Sequence, residues 1–211
     1  MKKLFLCLML IATIGATARE KRDDSKYLSG AVPEVNGMVT FKKSFNVSGK
    51  SGQEVKNVMK QFVAQLVDNS IPAPGNYARI MEDNDEGIVA RVCEWMVFVK
   101  KPLVLDRTRF RYQIEVAVKD SHVDMTIQQL TYYYGENTEN GEGGELIKAE
   151  EWITDKEALN KAKTKLYPKS GKFRRKTVDR MEEIFDDAMD AFEQEEEILP
   201  VKPIRKSVVE E

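Results

Sequence analysis

The chain has 211 residues, 42% of them hydrophobic and 9% aromatic, and a formal net charge of −2 at pH 7. That is enough apolar material for one cored domain with tails, which excludes disorder throughout. An acidic balance also argues against nucleic acid as a partner.

At the N-terminus Lys2 and Lys3 precede an apolar run from Leu4 to Ile14 and the small-residue triplet Ala16-Thr17-Ala18, the layout of a cleavable export leader over residues 1–18. The run is too short to span a bilayer, so the mature chain is expected to be periplasmic or secreted and not membrane-spanning. Removing the leader moves the formal charge from −2 to −4 and leaves Cys93 as the only thiol, so no internal disulfide is expected. Residues 19–37 are charged, lack a period and are punctuated by Gly30, Pro33 and Gly37, the signature of a flexible tether.

A single domain is expected over residues 38–198, beginning with a strand in which Val39, Phe41, Phe45 and Val47 share a parity. Lys43 is its inward polar exception, as befits an edge. Ser51-Gly52-Gln53-Glu54 has capping-box form, and Val55, Val58, Met59, Phe62 and Leu66 behind it make an amphipathic helix that Pro72 and Pro74 end. A short strand over 77–81 then leads into the best-patterned part of the chain.

From Ile88 to Tyr134 three runs alternate with period two, predicting an antiparallel meander. Centring the first hairpin on Pro102-Leu103-Val104 sets Phe98 opposite Thr108, Met96 opposite Phe110, Val92 opposite Ile114 and Ile88 opposite Val118. The second hairpin pairs Val118 with Val123, Val116 with Met125 and Ile114 with Ile127. Beyond these the apolar parity jumps to Leu130, Tyr132 and Tyr134, which predicts a β-bulge near Gln128 and Gln129.

Residues 136–144 read as a loop and residues 146–153 as a short extra strand. Thr154-Asp155-Lys156-Glu157 repeats the capping-box form and predicts a helix to about Lys163. Val178, Met181, Phe185, Ala188 and Phe192 trace one stripe of a long helix whose charges oppose its dipole, with Lys172, Arg174, Arg175 and Lys176 at the start. Residues 199–211 are a charged tail. The sum is an α+β domain, an antiparallel sheet in the order strand-helix-meander-helix with two helices packed on one face.

That element order, with Tyr132-Tyr133-Tyr134, Glu151-Trp152 and the run from Gly171 to Asp179, resembles a family of exported proteins from Bacteroidetes-type bacteria known as a domain of unknown function. The resemblance spans roughly residues 39–192 and implies a TBP-like fold. It implies no mechanism, since fold does not carry function with it.

Candidate chemistry is sparse. His122, the only histidine, flanks the turn at Asp120-Ser121 and has no partner in sequence, while one histidine and one mature cysteine cannot furnish the common zinc sets. The run from Asp83 to Gly87 lacks the spacing of a calcium loop, and neither a nucleophile elbow nor a phosphate-cradling glycine loop occurs. Cys93 sits in an apolar strand, where a thiol behaves as a small hydrophobe. Residues 161–176 hold eight basic and no acidic side chains, expected to form a solvated link between helices. No catalytic residue, metal or cofactor is therefore assigned.

One surface stands out. The sheet's second face should be polar, yet the proposed register sets Trp95, Val97 and Val99 opposite Arg111, Arg109 and Arg107, with Tyr133 nearby. Trp95, Arg109, Arg111 and Tyr133 are the candidate binding residues, because aromatic and arginine side chains anchor interfaces. The leading expectation is a non-enzymatic binding module of the cell envelope that meets a protein or other envelope partner, or a second copy of itself. The alternatives are a small-ligand carrier with a cavity between sheet and helices, and an unrecognised hydrolase. Processing after Ala18 is checked by the intact mass of protein exported from its host; a product that retains Met1 refutes it.

Overall fold

The computed structural model describes residues 22–67, 75–135 and 143–197, with side chains to residue 193. The leader, residues 68–74, most of the 136–144 loop and the tail lie outside the described residues. A two-stranded ribbon, β1 (Glu34–Val35) and β2 (Met38–Val39), precedes the edge strand β3 (Phe41–Asn46) and helix α1 (Gly52–Gln65). Then come β4 (Tyr77–Asn84), β5 (Gly87–Lys101), β6 (Val104–Lys119), β7 (His122–Tyr134) and β8 (Glu145–Lys148), followed by the one-turn α2 (Asp155–Ala158) and the long α3 (Pro168–Glu197).

The main sheet is antiparallel in the order β3-β7-β6-β5-β4, and β8 pairs with the far end of β7 on the same side as β3. Helices α1 and α3 lie on one face, as the two apolar stripes require. Ser51 closes a capping box with Glu54, and Val55, Val58, Met59 and Val63 of α1 are buried. From α3, Val178, Met181, Phe185, Ala188 and Phe192 are all buried, so packing sets this helix despite its unfavourable charge order. Phe173 is the pivot of an aromatic cluster, with ring centroids 4.5 Å from Phe98, 5.1 Å from Tyr132 and Tyr134, and 6.0 Å from Trp152. Beside it the Tyr132 and Thr177 hydroxyls share a buried 2.6 Å hydrogen bond.

The second hairpin has the expected register, with Val118 on Val123, Val116 on Met125 and Ile114 on Ile127. Its bulge is also where the parity jump put it, and Gln129 takes a left-handed φ of +57° there. The first hairpin differs. Val92 pairs with Tyr112, Met96 with Thr108 and Ile88 with Val116, two residues away from the expected partners. Its turn is Pro102-Leu103 alone, and Phe98 is an extra residue bulged between Val97 and Val99. Each accounts for one residue of slip, and two slips restore parity, so up to Val97 the faces are as expected while the partners are not. Between bulge and turn only one slip applies, and Val99 pairs with Asp106 instead of joining Arg107 on the open face. Leu103 pays for the tight turn with φ +64°, a conformation that costs a branched side chain about 1–2 kcal/mol. A further bulge falls in β4 between Ile80 and Glu82.

Residues 22–37 do not form a tether. Residues 34–37 go into the β1–β2 ribbon, and residues 24–28 lie against α3 because Arg174, fully buried, gathers carbonyls from them: its Nε donates to Tyr27 O at 2.6 Å and its Nη2 to Leu28 O at 2.5 Å. Nη1 donates to Ile153 O at 2.6 Å, and Nη2 pairs with Asp155 Oδ1 at 2.7 Å. The Tyr27 hydroxyl donates to Asp179, Arg175 pairs with Asp24, and Val32 is buried. The basic segment is likewise no simple solvated link, since Lys172 and Arg175 also reach acids from distant segments.

The second capping box does not form. Thr154 makes no side-chain cap bond, and α2 stops after Ala158, where Leu159 turns extended to bridge Leu166. Asp155, which should have served the helix start, is taken by Arg174, Ser29 and the Gly30 amide. Burial pushes its carboxyl up, but those hydrogen bonds outweigh it and hold the group below its ordinary value. A carboxyl lowered on folding adds stability that is present above about pH 4 and lost as pH falls through the folded value. Asp155→Asn should therefore flatten the acid limb of a stability–pH curve measured by urea unfolding. Arg174→Met should cost about 3–5 kcal/mol at neutral pH by orphaning its buried partners; a loss below 1 kcal/mol would show that the guanidinium is not the fastening.

Candidate open-face binding site

The face of the sheet turned away from the helices is built row by row, since directly paired residues point the same way. One row runs Trp95, Arg109, Tyr133, Leu146 across β5 to β8. The next, about 7 Å along, runs Tyr77, Cys93, Arg111, Thr131, Lys148 from β4 to β8. A third sets Arg79 beside Arg91 and Gln113. With Arg107, opposite Val97, this places six cations on one face of a net-acidic chain.

Trp95 does not meet Arg111. The two-residue register difference puts Arg109 opposite it, and two guanidiniums stack on the indole, Arg107 at 3.7 Å and Arg109 at 4.4 Å from a ring centroid. Arg107 Nε is buried and has no hydrogen-bond partner among the described residues, while its guanidinium stacks on the ring. Arg109 also lies over Gly75, where a Cβ would come within 2.0 Å of Nη1. Tyr133 pairs with Arg109, and its ring lies under Gly144, where a Cβ would come within 2.7 Å. Thus Trp95, Arg109 and Tyr133 share one row, while the exposed Arg111 belongs to the next. Neither β8 nor the N-terminal ribbon lies over Trp95 as a lid: β8 extends the sheet edge, and the β1–β2 ribbon stands at the border of the second row.

That second row floors a groove of about 680 Å³. Arg91, Arg111 and Lys148 supply its cations, Gln113 and Thr131 its neutral donors and acceptors, and Tyr77 its aromatic side. Asn36, Gly37 and Met38 of the ribbon close one end beside Glu150 and Glu151. Glu150 is committed, accepting the Val39 amide at 2.8 Å, and on the same face Glu115 accepts from Gln113 and Gln128. The groove therefore offers cations to an incoming group, with Glu150 engaged elsewhere and the exposed Glu151 at its ribbon end.

The remaining titratable groups are structural in geometry. His122 Nδ1 meets Asn46 Oδ1 at 2.7 Å on an exposed hairpin end, and no described pocket adjoins it. Cys93 is buried and free. An acid and a hydroxyl do converge at Glu94 and Tyr112, where the phenol donates at 2.8 Å, but Arg180 grips the same carboxylate at 2.9 and 3.0 Å. Burial first, and then the Glu94 charge, push the Tyr112 hydroxyl well above its ordinary value. Such a phenol is a poor proton donor. Among the described residues no group of acids, cysteines and histidine could hold a metal, and no helix is long and apolar enough to cross a membrane.

Sequence reasoning missed Arg91, Tyr77 and Lys148 as members of this face, and it placed Arg107 there opposite Val99 rather than opposite Val97 and on the Trp95 indole. Arg91 was within reach, because it shares the parity of Cys93 and Trp95. Tyr77 and Lys148 depend on which strands flank the meander, which no periodicity encodes.

The description of the family model that matches residues 41–133 is a domain of unknown function, DUF4468, with a TBP-like fold. The chain is 39% identical to a DUF4468 family protein from Bacteroides ovatus seen in a crystal structure, with 87% of this chain and 100% of that one covered and a TM-score of 0.71. A TBP-like protein from Parabacteroides distasonis matches at 18% identity over 77% of this chain and 97% of its own, with a TM-score of 0.57, a likeness of fold. No curated protein matches. With its antiparallel sheet, its helices on one face and 87% of its length matched by that 39% identical relative, the chain belongs to the DUF4468 family of TBP-like domains.

Proposed function

We propose that the protein is a non-enzymatic binding module of the cell envelope, exported and freed of its leader, whose open sheet face receives an acidic partner. The observation that carries this reading is the concentration of six cations and three aromatic rings on one face of a chain whose net charge is negative. Charge segregated in this way steers an oppositely charged partner and fixes its orientation, while Arg and aromatic side chains supply the close contacts.

Two features argue against the other readings. A carrier site is mostly apolar and enclosed, whereas this groove is floored by Arg, Gln, Thr and Lys side chains. A symmetric pairing of two copies through this face would bring like charges together, so a second copy fits it poorly.

The test is charge reversal in the exporting host. Tagged wild type and Arg91→Glu/Arg111→Glu are recovered at low and high salt, and co-purifying material is quantified. Both side chains are exposed, so the fold should tolerate the change to within about 0.5 kcal/mol each. Wild type should hold an acidic partner that salt releases, and the variant should retain about tenfold less or lower still. Equal recovery with both proteins, or a basic partner, would refute the reading.

A further inference from the structure

We propose that the β5–β6 hairpin tip inserts into an anionic lipid surface, a second contact separate from the open-face groove. At the turn Leu103 is 105% exposed, Val104 52% and Leu105 47%, three consecutive large apolar side chains in water. Folding does not explain them. Leu103 occupies a left-handed position that Gly or Asn fills without strain, so the chain tolerates both strain and exposure to display a leucine there.

The tip also projects. The last rung that β6 shares with β7 is Thr108 to Tyr134, and β4 reaches only Tyr77 opposite Cys93, so the rungs from Val97–Arg107 to Lys101–Val104 belong to a two-stranded ribbon, covered at its base where Phe98 meets Phe173 and Asp106 meets Lys172. Four residues of extended chain carry the turn about 13 Å beyond the three-stranded region. Apolar groups that lodge at a bilayer interface sink about 5–10 Å below the headgroups. The ribbon is therefore long enough to bury its tip while the body of the sheet stays outside.

Charge selects the kind of surface. Lys100 and Lys101 share the last two rungs with Leu105 and Val104, and their long stems let the ammoniums reach back to the headgroups while the apolar side chains sink. Asp106, one rung behind, is ion-paired with Lys172 at 2.6 Å. Lys172 also rests over the Phe98 ring at 4.5 Å, which brings the start of α3, with exposed Lys169 and Tyr167, toward the same end of the sheet. An apolar point ringed by lysines matches a bilayer rich in anionic headgroups; weak anchors of this kind need both contributions. A protein groove would accept the leucines but gives no reason for the lysines.

The test is co-sedimentation of the full exported protein with phosphatidylcholine vesicles, with and without phosphatidylglycerol. Wild type should sediment preferentially with the anionic vesicles. Leu103→Asn/Leu105→Thr should bind at least about tenfold more weakly to both, with an unchanged or higher melting temperature because asparagine tolerates the turn. Lys100→Gln/Lys101→Gln should lose the preference for phosphatidylglycerol, by about fivefold per lysine. All variants share one N-terminus, so any contribution of residues 1–18 cancels. Equal sedimentation of wild type and the leucine variant overturns the proposal. So does a failure of wild type to bind either vesicle, or self-association without lipid that the leucine variant abolishes, which would assign the tip to a second copy. Because Arg91 and Arg111 stay intact, loss of lipid binding here and loss of the open-face partner are scored separately.

Discussion

The buried guanidinium of Arg174 holds the architecture of this domain together outside its sheet. Among the described residues it is the one wholly buried charge, set at the junction of three segments, and its donors end on two carbonyls before β1, one carbonyl after β8 and the Asp155 carboxylate. Each acceptor would otherwise be a polar atom turned toward an apolar layer. Such a cluster adds little net stability relative to a hydrophobic replacement, but it is intolerant of partial loss. What it specifies is arrangement: the N-terminal segment must lie along α3, and α2 must stay short so that Asp155 can face inward.

That fastening works on top of a sheet with two unlike faces. Under the helices the strands present Phe110, Tyr132 and aliphatic side chains, and the ionic groups Glu94 and Asp106 there are answered from α3 by Arg180 and Lys172, and within the sheet by the Tyr112 and Tyr134 hydroxyls. On the open side the same strands present arginines, glutamines and isolated aromatics. The period-two backbone keeps these two populations apart with no further device. A cluster of cations can therefore sit on a chain that is acidic as a whole, because the acids of this face, such as Glu115 and Asp124, fall in rows beyond it and many of the others lie on α3.

Most of this was readable from residues where a local signal and a tertiary one agree. The capping box at Ser51, the stripe of α3 and the bulge at Gln129 all follow from spacing within one element, and the second hairpin's register follows from apolar matching across a short turn. The first hairpin was harder, since its turn length and the Phe98 bulge are two separate one-residue choices whose effects cancel in parity but add in register. The candidate site inherited that displacement: Trp95 and Arg109 were brought together, whereas Arg111 went to the neighbouring row and Arg107 took its place on the indole. Residues 22–37 misled for a different reason. Their order comes from contacts more than a hundred residues away in sequence, and a charged, aperiodic stretch bears no local mark of a buried arginine waiting for its carbonyls.

The bulge in β4 bears on how the protein behaves in company. β4 is a sheet edge, a row of amides and carbonyls onto which another chain's strand might otherwise be laid, and Met81 is 54% exposed upon it. The register break between Ile80 and Glu82 interrupts that row, and beyond it Asp83 is bridged by Lys56 and Lys60 of α1, which hold its carboxyl down to about 2. A docking strand would find its ladder broken midway and a fixed ion cluster at its end. The domain can thus be crowded at a surface at high local concentration without growing into a continuous ribbon of sheets.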